Sequence, residues 1–467
     1  MRTIFFSSPL TLHSLLLAIL LLSIGLSGAL CPVFAEDLPK GVVLPHVECQ
    51  IEKSYSFALY VPKAYTSEKA WPVVFCFAPD GIGVVPVRLL APAAEHFGYV
   101  VAASNDSKNG PIEPIRKAQE ILWKEINARF KVDPKRSYGA GFSGGSRAAL
   151  YLALSHPDRF AGVISCGAVW AEGKDVPKKC PLALFMLVGA KDFNYFEFTQ
   201  ADKELRKKGV LHWLQEFDGV HQWPPGAFMT QGLEYMQAAA MKQGLIAEDR
   251  DFLASLLKAR LEVAAALAAK GQKVEAFREY RQSCEFFIGL TGTDSACEAA
   301  GGLAQDPDVK AWFSVEPTFE AYRDRLTQTL DPHGLLILIK ELKAKASEGG
   351  REGASADLLL TLVSRSLTQL GGEYLRQRNY REALFCFETI LSYRPKDPLA
   401  AYNAACTYSR MGFKKDALRC LKLASQNGFK DVALMEKDSD LDYIRKEPGY
   451  QEVLSALRAI PAPAQAP

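Results

Sequence analysis

The chain has 467 residues, of which 48% are apolar and 23% charged. It is too apolar for a disordered protein and long enough for two or three domains. Its 55 basic and 53 acidic residues leave a formal charge of +2, which gives no electrostatic reason to expect nucleic acid or an anionic membrane as a partner. Ten cysteines are too few for a disulfide scaffold, and no CxxC pair or His/Cys cluster has zinc spacing, so neither metal nor cofactor is expected.

The N-terminus reads as an address. Arg2 precedes LLLAILLL at residues 15–22, the apolar bias runs on to Leu30, and Val33-Phe34-Ala35 offers compact residues before Glu36. Residues 1–35 are expected to be a cleaved secretory signal, too short and too glycine-rich at its end for a membrane span. The destination implied is the periplasm or exterior of a bacterial cell, with no membrane contact after cleavage. A lipoprotein reading through Cys31 is weaker, because Leu30 stands where a small residue should precede the cysteine. Cleavage leaves nine of the ten cysteines, an odd number, so at least one stays unpaired in an oxidising compartment. Cys166 and Cys180 bracket one short loop and are the best disulfide candidates, against the plainer role of small buried hydrophobes.

From residue 47 to 243, strand and helix patterns alternate. Residues 55–61 alternate apolar and polar. Residues 72–78, 99–103, 137–142, 162–166, 182–188 and 211–217 are continuous apolar runs, which suit strands buried on both faces. Amphipathic stretches lie between them at 86–96, 115–130, 146–156, 196–208 and 231–243. The alternation predicts an α/β domain over 36–245, with a doubly wound, mostly parallel sheet. Residues 249–269, 273–290 and 318–329 then look helical, with a less regular patch at 291–308, giving a helical region over 246–345. ASEGGREGAS at 346–355 reads as a flexible linker.

The tail carries an internal repeat. The pattern Leu367, Leu370-Gly371, Tyr374, Ala383, Phe387 recurs thirty-four residues on through Ala404-Ala405, Tyr408, Ala417 and Leu421, with Pro395 between. The spacing resembles the tetratricopeptide repeat, which implies an all-α domain over 356–460 and a protein partner. In such a repeat small residues let paired helices approach, while Tyr and Phe fill the gaps. Leu267, Ala276 and Tyr280 form a fainter, earlier copy. Cys386 and Cys420 hold the same repeat position and so cannot pair with each other. The segments around Phe429, Met435 and Tyr443 resemble the closing stretch of bacterial tetratricopeptide proteins. PAPAQAP at 461–467 reads as disordered.

One constellation carries chemistry. Gly141-Phe142-Ser143-Gly144-Gly145 matches G-x-S-x-G between a predicted strand and a predicted helix. A tight strand-to-helix turn crowds its neighbours, so the flanking positions must be glycine, and the helix N-terminus aims partial positive charge at a developing oxyanion. A serine hydroxyl needs a base. Of the seven histidines, His221 alone lies in a loop just past a late predicted strand. The imidazole needs a carboxylate to orient it. Asp192 follows the strand at 182–188, and Asp218 is its rival, three residues before His221.

These residues resemble a secreted α/β-hydrolase of the feruloyl esterase and polyhydroxybutyrate depolymerase type. The resemblance rests on Tyr138 to Gly145, Ser155-His156-Pro157-Asp158, Gly189-Ala190-Lys191-Asp192 and Gly219-Val220-His221-Gln222-Trp223-Pro224. It implies the α/β-hydrolase fold, a Ser143–Asp192–His221 triad and hydrolysis of a small-molecule or polymer ester. One departure matters. Where that family has His-Gly after the third strand, this chain has Ala78-Pro79-Asp80-Gly81. Pro79 has no N–H, so the oxyanion donors would be Gly144 and either Asp80 or Gly81, and a carboxylate at 80 repels an oxyanion unless it points away. Trp170, Phe193, Tyr195 and Trp223 are candidates for an aromatic substrate wall. The competing readings are a non-catalytic interaction or ligand-binding protein with a degenerate site, and a serine peptidase.

Overall fold

The computed structural model describes residues 38–170, 176–178, 180–310 and 332–459. The expected signal at 1–35, the helix at 318–329 and the tail at 461–467 lie outside them. The chain forms two compact units. One runs to Leu187 and adds Gln200–Phe217 and Trp223–Glu248, while the other holds Val188–Thr199, Asp218–Gln222 and the chain from Asp249 on.

The first unit is built on eight strands: β1 (Val43–Glu48), β2 (Ser56–Tyr60), β3 (Trp71–Phe77), β4 (Val100–Ser104), β5 (Val132–Phe142), β6 (Phe160–Cys166), β7 (Ala183–Gly189) and β8 (His212–Phe217). Their order in the sheet is β1-β2-β4-β3-β5-β6-β7-β8. β1–β2 and β2–β4 pair antiparallel, and β4–β3–β5–β6–β7 are parallel neighbours. This is the α/β-hydrolase sheet. Helices α1 (Val84–Phe97), α2 (Ile112–Arg129), α3 (Gly144–Ser155), α4 (Tyr195–Lys208) and α5 (Gly226–Lys242) follow strands in the α/β manner. Every residue of β3, β4, β6 and β7 is buried, as their unbroken apolar runs require. Phe75, Trp123 and Phe160 pack ring to ring at 5.1–6.0 Å under the sheet.

β1 is absent from the sequence reading. It is a half-exposed edge strand containing Pro45, with a register irregularity between Leu44 and Val47, so it shows neither a clean alternation nor a continuous apolar run. The β1–β2 connection is tied down by Glu125, whose buried carboxylate accepts the N–H groups of Gln50 (2.9 Å) and Ile51 (3.0 Å) and pairs with Arg129.

The second unit is helical apart from its two inserted segments. α6 (Arg250–Ala269) and α7 (Lys273–Phe287) form a hairpin that buries Arg260 3.6 Å from Glu279. Burial pushes the Glu279 carboxyl up, and Arg260 opposes that shift. α8 (Asp294–Leu303) occupies the patch read as irregular, and Cys297 on it is disulfide-bonded to Cys284 of α7. Cys166 and Cys180 are not paired: both are free and buried, the plainer of the two roles read for them. Cys166 closes a strand inside the sheet, with its Sγ 3.7 Å from Met229 Sδ, and burial pushes its thiol up.

α9 (Pro332–Ser347) is followed by α10 (Gly350–Arg376), α11 (Tyr380–Tyr393), α12 (Pro398–Arg410), α13 (Lys414–Gln426), α14 (Val432–Lys437) and α15 (Pro448–Arg458). The expected linker at 346–355 is corrected too. Only Glu348 and Gly349 separate α9 from α10, because Ala, Glu and Arg in that stretch favour helix and Lys345 pairs with both Glu348 and Glu352. Helices α10 to α13 pack each on the next. Ala383, Phe387, Ala404, Ala405, Ala417 and Leu421 lie in their shared core, with Tyr374 and Tyr408 packed against it. The tetratricopeptide-type reading of this fold rests on that placement. Asp397 caps α12 through Ala400 N–H at 2.9 Å, and Tyr402 stacks on Phe429 at 4.1 Å to seat the closing segment. Among the described residues no helix is long and apolar enough to cross a membrane.

Gly371 allows the α10–α11 approach, since a Cβ there would stand 2.8 Å from the Phe387 ring and 3.0 Å from Cys386 Cβ. Gly371→Leu should lower the stability of the full chain by about 1–3 kcal/mol in urea denaturation. Gly372→Leu, whose Cβ would have only the tip of Arg376 within 4.0 Å, should not destabilise it.

Candidate active site

Ser143 stands between β5 and α3 with φ 53° and ψ −122°. Among the described residues only Ser143 and Arg378 carry a positive φ without being glycine. Such a backbone costs about 1–3 kcal/mol and persists only where its surroundings hold it. Here Ser143 N–H donates to Cys166 O at 2.8 Å, and Arg147 N–H donates to Ser143 O at 3.2 Å. A Cβ on Gly141 would meet Gly145 C and O at 2.4 Å, and one on Gly145 would meet Phe77 O at 2.1 Å. Both glycines are thus required by backbone packing. Gly144 differs: a Cβ there would stand 1.8 Å from Asn109 Oδ1, the end of an exposed side chain.

The backing of this turn was not read from sequence. Ser146 Oγ and Ser165 Oγ lie 2.7 Å apart and each lies 2.6 Å from Ala168 O, so the two hydroxyls and the carbonyl form one buried cluster. Arg147 Nη1 donates to Trp170 O at 2.7 Å, fixing the chain beyond β6. In the loop after β3, Gly81 N–H donates to Ala78 O at 3.2 Å. That bond commits the Gly81 N–H within its own turn. The exposed Asp80 carboxylate accepts Ile82 N–H at 2.9 Å and is thereby held on its own turn. Asn109 N–H donates to Pro79 O at 2.8 Å and anchors the same loop.

Asp192 and His221 sit in the two segments that group with the helical unit. The Asp192 side chain is 1% exposed, and both of its oxygens lie 2.9 Å from His221 Nδ1. Asn194 N–H donates to Asp192 Oδ1 at 2.8 Å, and Lys191 N–H donates to Gly219 O at 2.9 Å, joining the two segments. Gly189 has no room for a Cβ, which would meet Gly219 O at 2.5 Å. The rival carboxylate Asp218 is 90% exposed and lies 3.6 Å from Lys191 Nζ. Nδ1 facing a carboxylate fixes the tautomer that leaves Nε2 to accept a proton. His212 has other work, between Val210 O at 2.8 Å and Asp202 Oδ1 at 3.1 Å.

The four aromatic candidates part company. Phe193 lies over the His221 imidazole, with ring centroids 4.0 Å apart. Tyr195 Oη accepts from Arg278 Nη1 at 3.1 Å. Trp223 packs on Phe142, beside Ser143, at 5.3 Å. Trp170 is half-buried after β6. Asn194 is the residue of this half that sequence reasoning missed. The Asp-x-Asn spacing, which closes a turn on the aspartate side chain, is the signal that could have found it.

No family model matches the chain. Over 87 residues it is 31% identical to a chloroplastic protein of Arabidopsis thaliana, a stretch covering 18% of this chain and 26% of that protein. Over 172 residues it is 23% identical to Hsp70-Hsp90 organizing protein 2 of the same plant, covering 34% of this chain and 29% of that one. The chain thus spans less than a third of the length of the curated relatives it matches. Among solved structures it is similar to an S-formylglutathione hydrolase from Staphylococcus aureus (15% identity, 43% of this chain and 95% of that one, TM-score 0.34). It is likewise similar to a ferulic acid esterase (16% identity, 41% and 95%, TM-score 0.33).

The glycines make separable predictions. Gly141→Ala and Gly145→Ala each force backbone apart and should cost about 1–3 kcal/mol or more in thermal or urea unfolding. Gly144→Ala asks only an exposed side chain to swing away and should unfold within about 0.5 kcal/mol of the parent chain.

Proposed function

We propose that the chain is a secreted serine hydrolase acting on carboxylic esters, with Ser143 as nucleophile, His221 as general base and acid, and Asp192 as the carboxylate that orients it. The observation that carries this reading is the imidazole of His221 held at Nδ1 by a buried carboxylate, in a chain that also sets a serine on a strained strand-to-helix turn. His221 Nε2 takes the Ser143 hydroxyl proton as Oγ bonds to the ester carbonyl carbon. The carbonyl oxygen becomes an oxyanion, received by the N–H groups of Gly144 and Asp80. Collapse breaks the bond to the leaving alcohol, which takes the proton from Nε2. Water, deprotonated by the same nitrogen, then cleaves the acyl-serine and returns the proton to Oγ.

The Asp80 carboxylate, committed to Ile82 N–H, favours a working oxyanion pocket over a degenerate one. The Cys284–Cys297 disulfide supports an oxidising destination and so the secretory reading. Helices α10 to α13, in the tetratricopeptide arrangement, are where we assign a protein partner.

The test is turnover of p-nitrophenyl acetate and butyrate and of a feruloyl ester by the full chain after signal removal. Ser143→Ala should abolish it, and Asp192→Asn should lower kcat by about 10³–10⁴-fold while the fold is kept. Turnover that survives in Ser143→Ala, or a folded parent chain that cleaves none of these esters, would contradict the proposal.

A further inference from the structure

The carboxylate loop is held by residues far along the chain. Three consecutive residues follow Asp192, and each meets a guanidinium of the helical stretch. The Arg365 guanidinium, from α10, lies 3.9 Å from the Phe193 ring centroid. Arg365 Nη1 also donates to Asn194 Oδ1 at 3.2 Å. Arg278 Nη1, from α7, donates to Tyr195 Oη at 3.1 Å.

Arg365 therefore reaches the Asp192–His221 pair by two routes. Through Asn194 it braces the backbone N–H that holds Asp192 Oδ1 at 2.8 Å. Through Phe193 it braces the ring that covers the His221 imidazole at 4.0 Å. A planar cation suits both tasks at once, since it stacks on an aromatic face while its edge donates to an amide oxygen. Asn194 is buried, so its amide oxygen depends on a protein donor rather than on water.

We infer that Arg365 is a positioning residue for the base: it fixes the His221 ring and the Asp192 carboxylate in register, so that the helical stretch beyond residue 249 is part of the catalytic apparatus. This rests on the serine hydrolase reading for its kinetic consequence, but not for its structural one. Arg365 acts through Asn194 and Phe193 rather than on the reacting atoms. Its loss should leave substrate binding alone and reduce the fraction of time the imidazole is aimed for proton transfer.

The experiment uses the full chain with Arg365→Ala, Arg365→Lys, Phe193→Leu and the Arg365→Ala/Phe193→Leu pair. Two readouts are taken: kcat and KM on p-nitrophenyl acetate, and the NMR signal of the His221 Nδ1 proton with its solvent-exchange rate. Arg365→Ala should lower kcat about fivefold at unchanged KM and speed exchange of that proton. Arg365→Lys should recover part of both, because an ammonium keeps the ring contact and loses the fork. The double variant should be no worse than Phe193→Leu by more than about twofold, since the two residues act in one chain of contacts. Arg365 is exposed, so melting temperatures should stay close to the parent and separate positioning from unfolding. An unchanged kcat and an unchanged Nδ1 proton signal in Arg365→Ala would overturn the inference. A parent chain without esterase activity whose Nδ1 signal still responds to Arg365→Ala would defeat the ester reading and keep the clamp.

Discussion

A carboxylate taken out of water must find hydrogen-bond donors for its oxygens. Asp192, 1% exposed, finds them in the His221 imidazole at 2.9 Å and the Asn194 N–H at 2.8 Å. That single satisfied burial fixes which imidazole nitrogen carries the proton and which faces away from the carboxylate. It also joins the segment after β7 to the segment after β8, reinforced by Lys191 N–H on Gly219 O and by a Gly189 that leaves no room for a side chain.

The sheet was legible because buried parallel strands have a simple signature. β3, β6 and β7 are unbroken apolar runs with turn residues at both ends, and all their residues are buried. The Ser143 turn was legible for a steric reason: Gly141 and Gly145 occupy points where backbone meets backbone, and no other residue fits. The edge strand β1 was not legible, because a half-exposed element interrupted by Pro45 has no clear period. Residues 346–355 misled through glycine content, although a break of Glu348 and Gly349 suffices to pass from α9 to α10. Cys284 and Cys297 are brought together by the α7–α8 turn, a tertiary fact that their separation of 13 residues does not announce.

The candidate site divides along the same line. Its place after a strand favoured Asp192 over Asp218, and the closer one in sequence is the one that faces solvent and Lys191. Phe193 was read either as a wall for substrate or as an aromatic pinning its loop, and its ring lies against the imidazole. The contacts of Arg365 and Arg278 join residues 171 and 83 positions apart, beyond the reach of any local pattern. Through them the helices of the second unit supply cations to the loop that bears the carboxylate.

The claim at the centre is that the oxygen of Ser143 becomes a nucleophile because of the His221 base. Its most direct measurement is peptide mapping by mass spectrometry after reaction of the full chain with a fluorophosphonate. The account predicts one phosphonyl adduct, on the peptide that contains Ser143, in the parent chain, and a rate of adduct formation lower by at least about a hundredfold in His221→Ala. An adduct on another residue, or on Ser143 at the same rate with the imidazole removed, would contradict it.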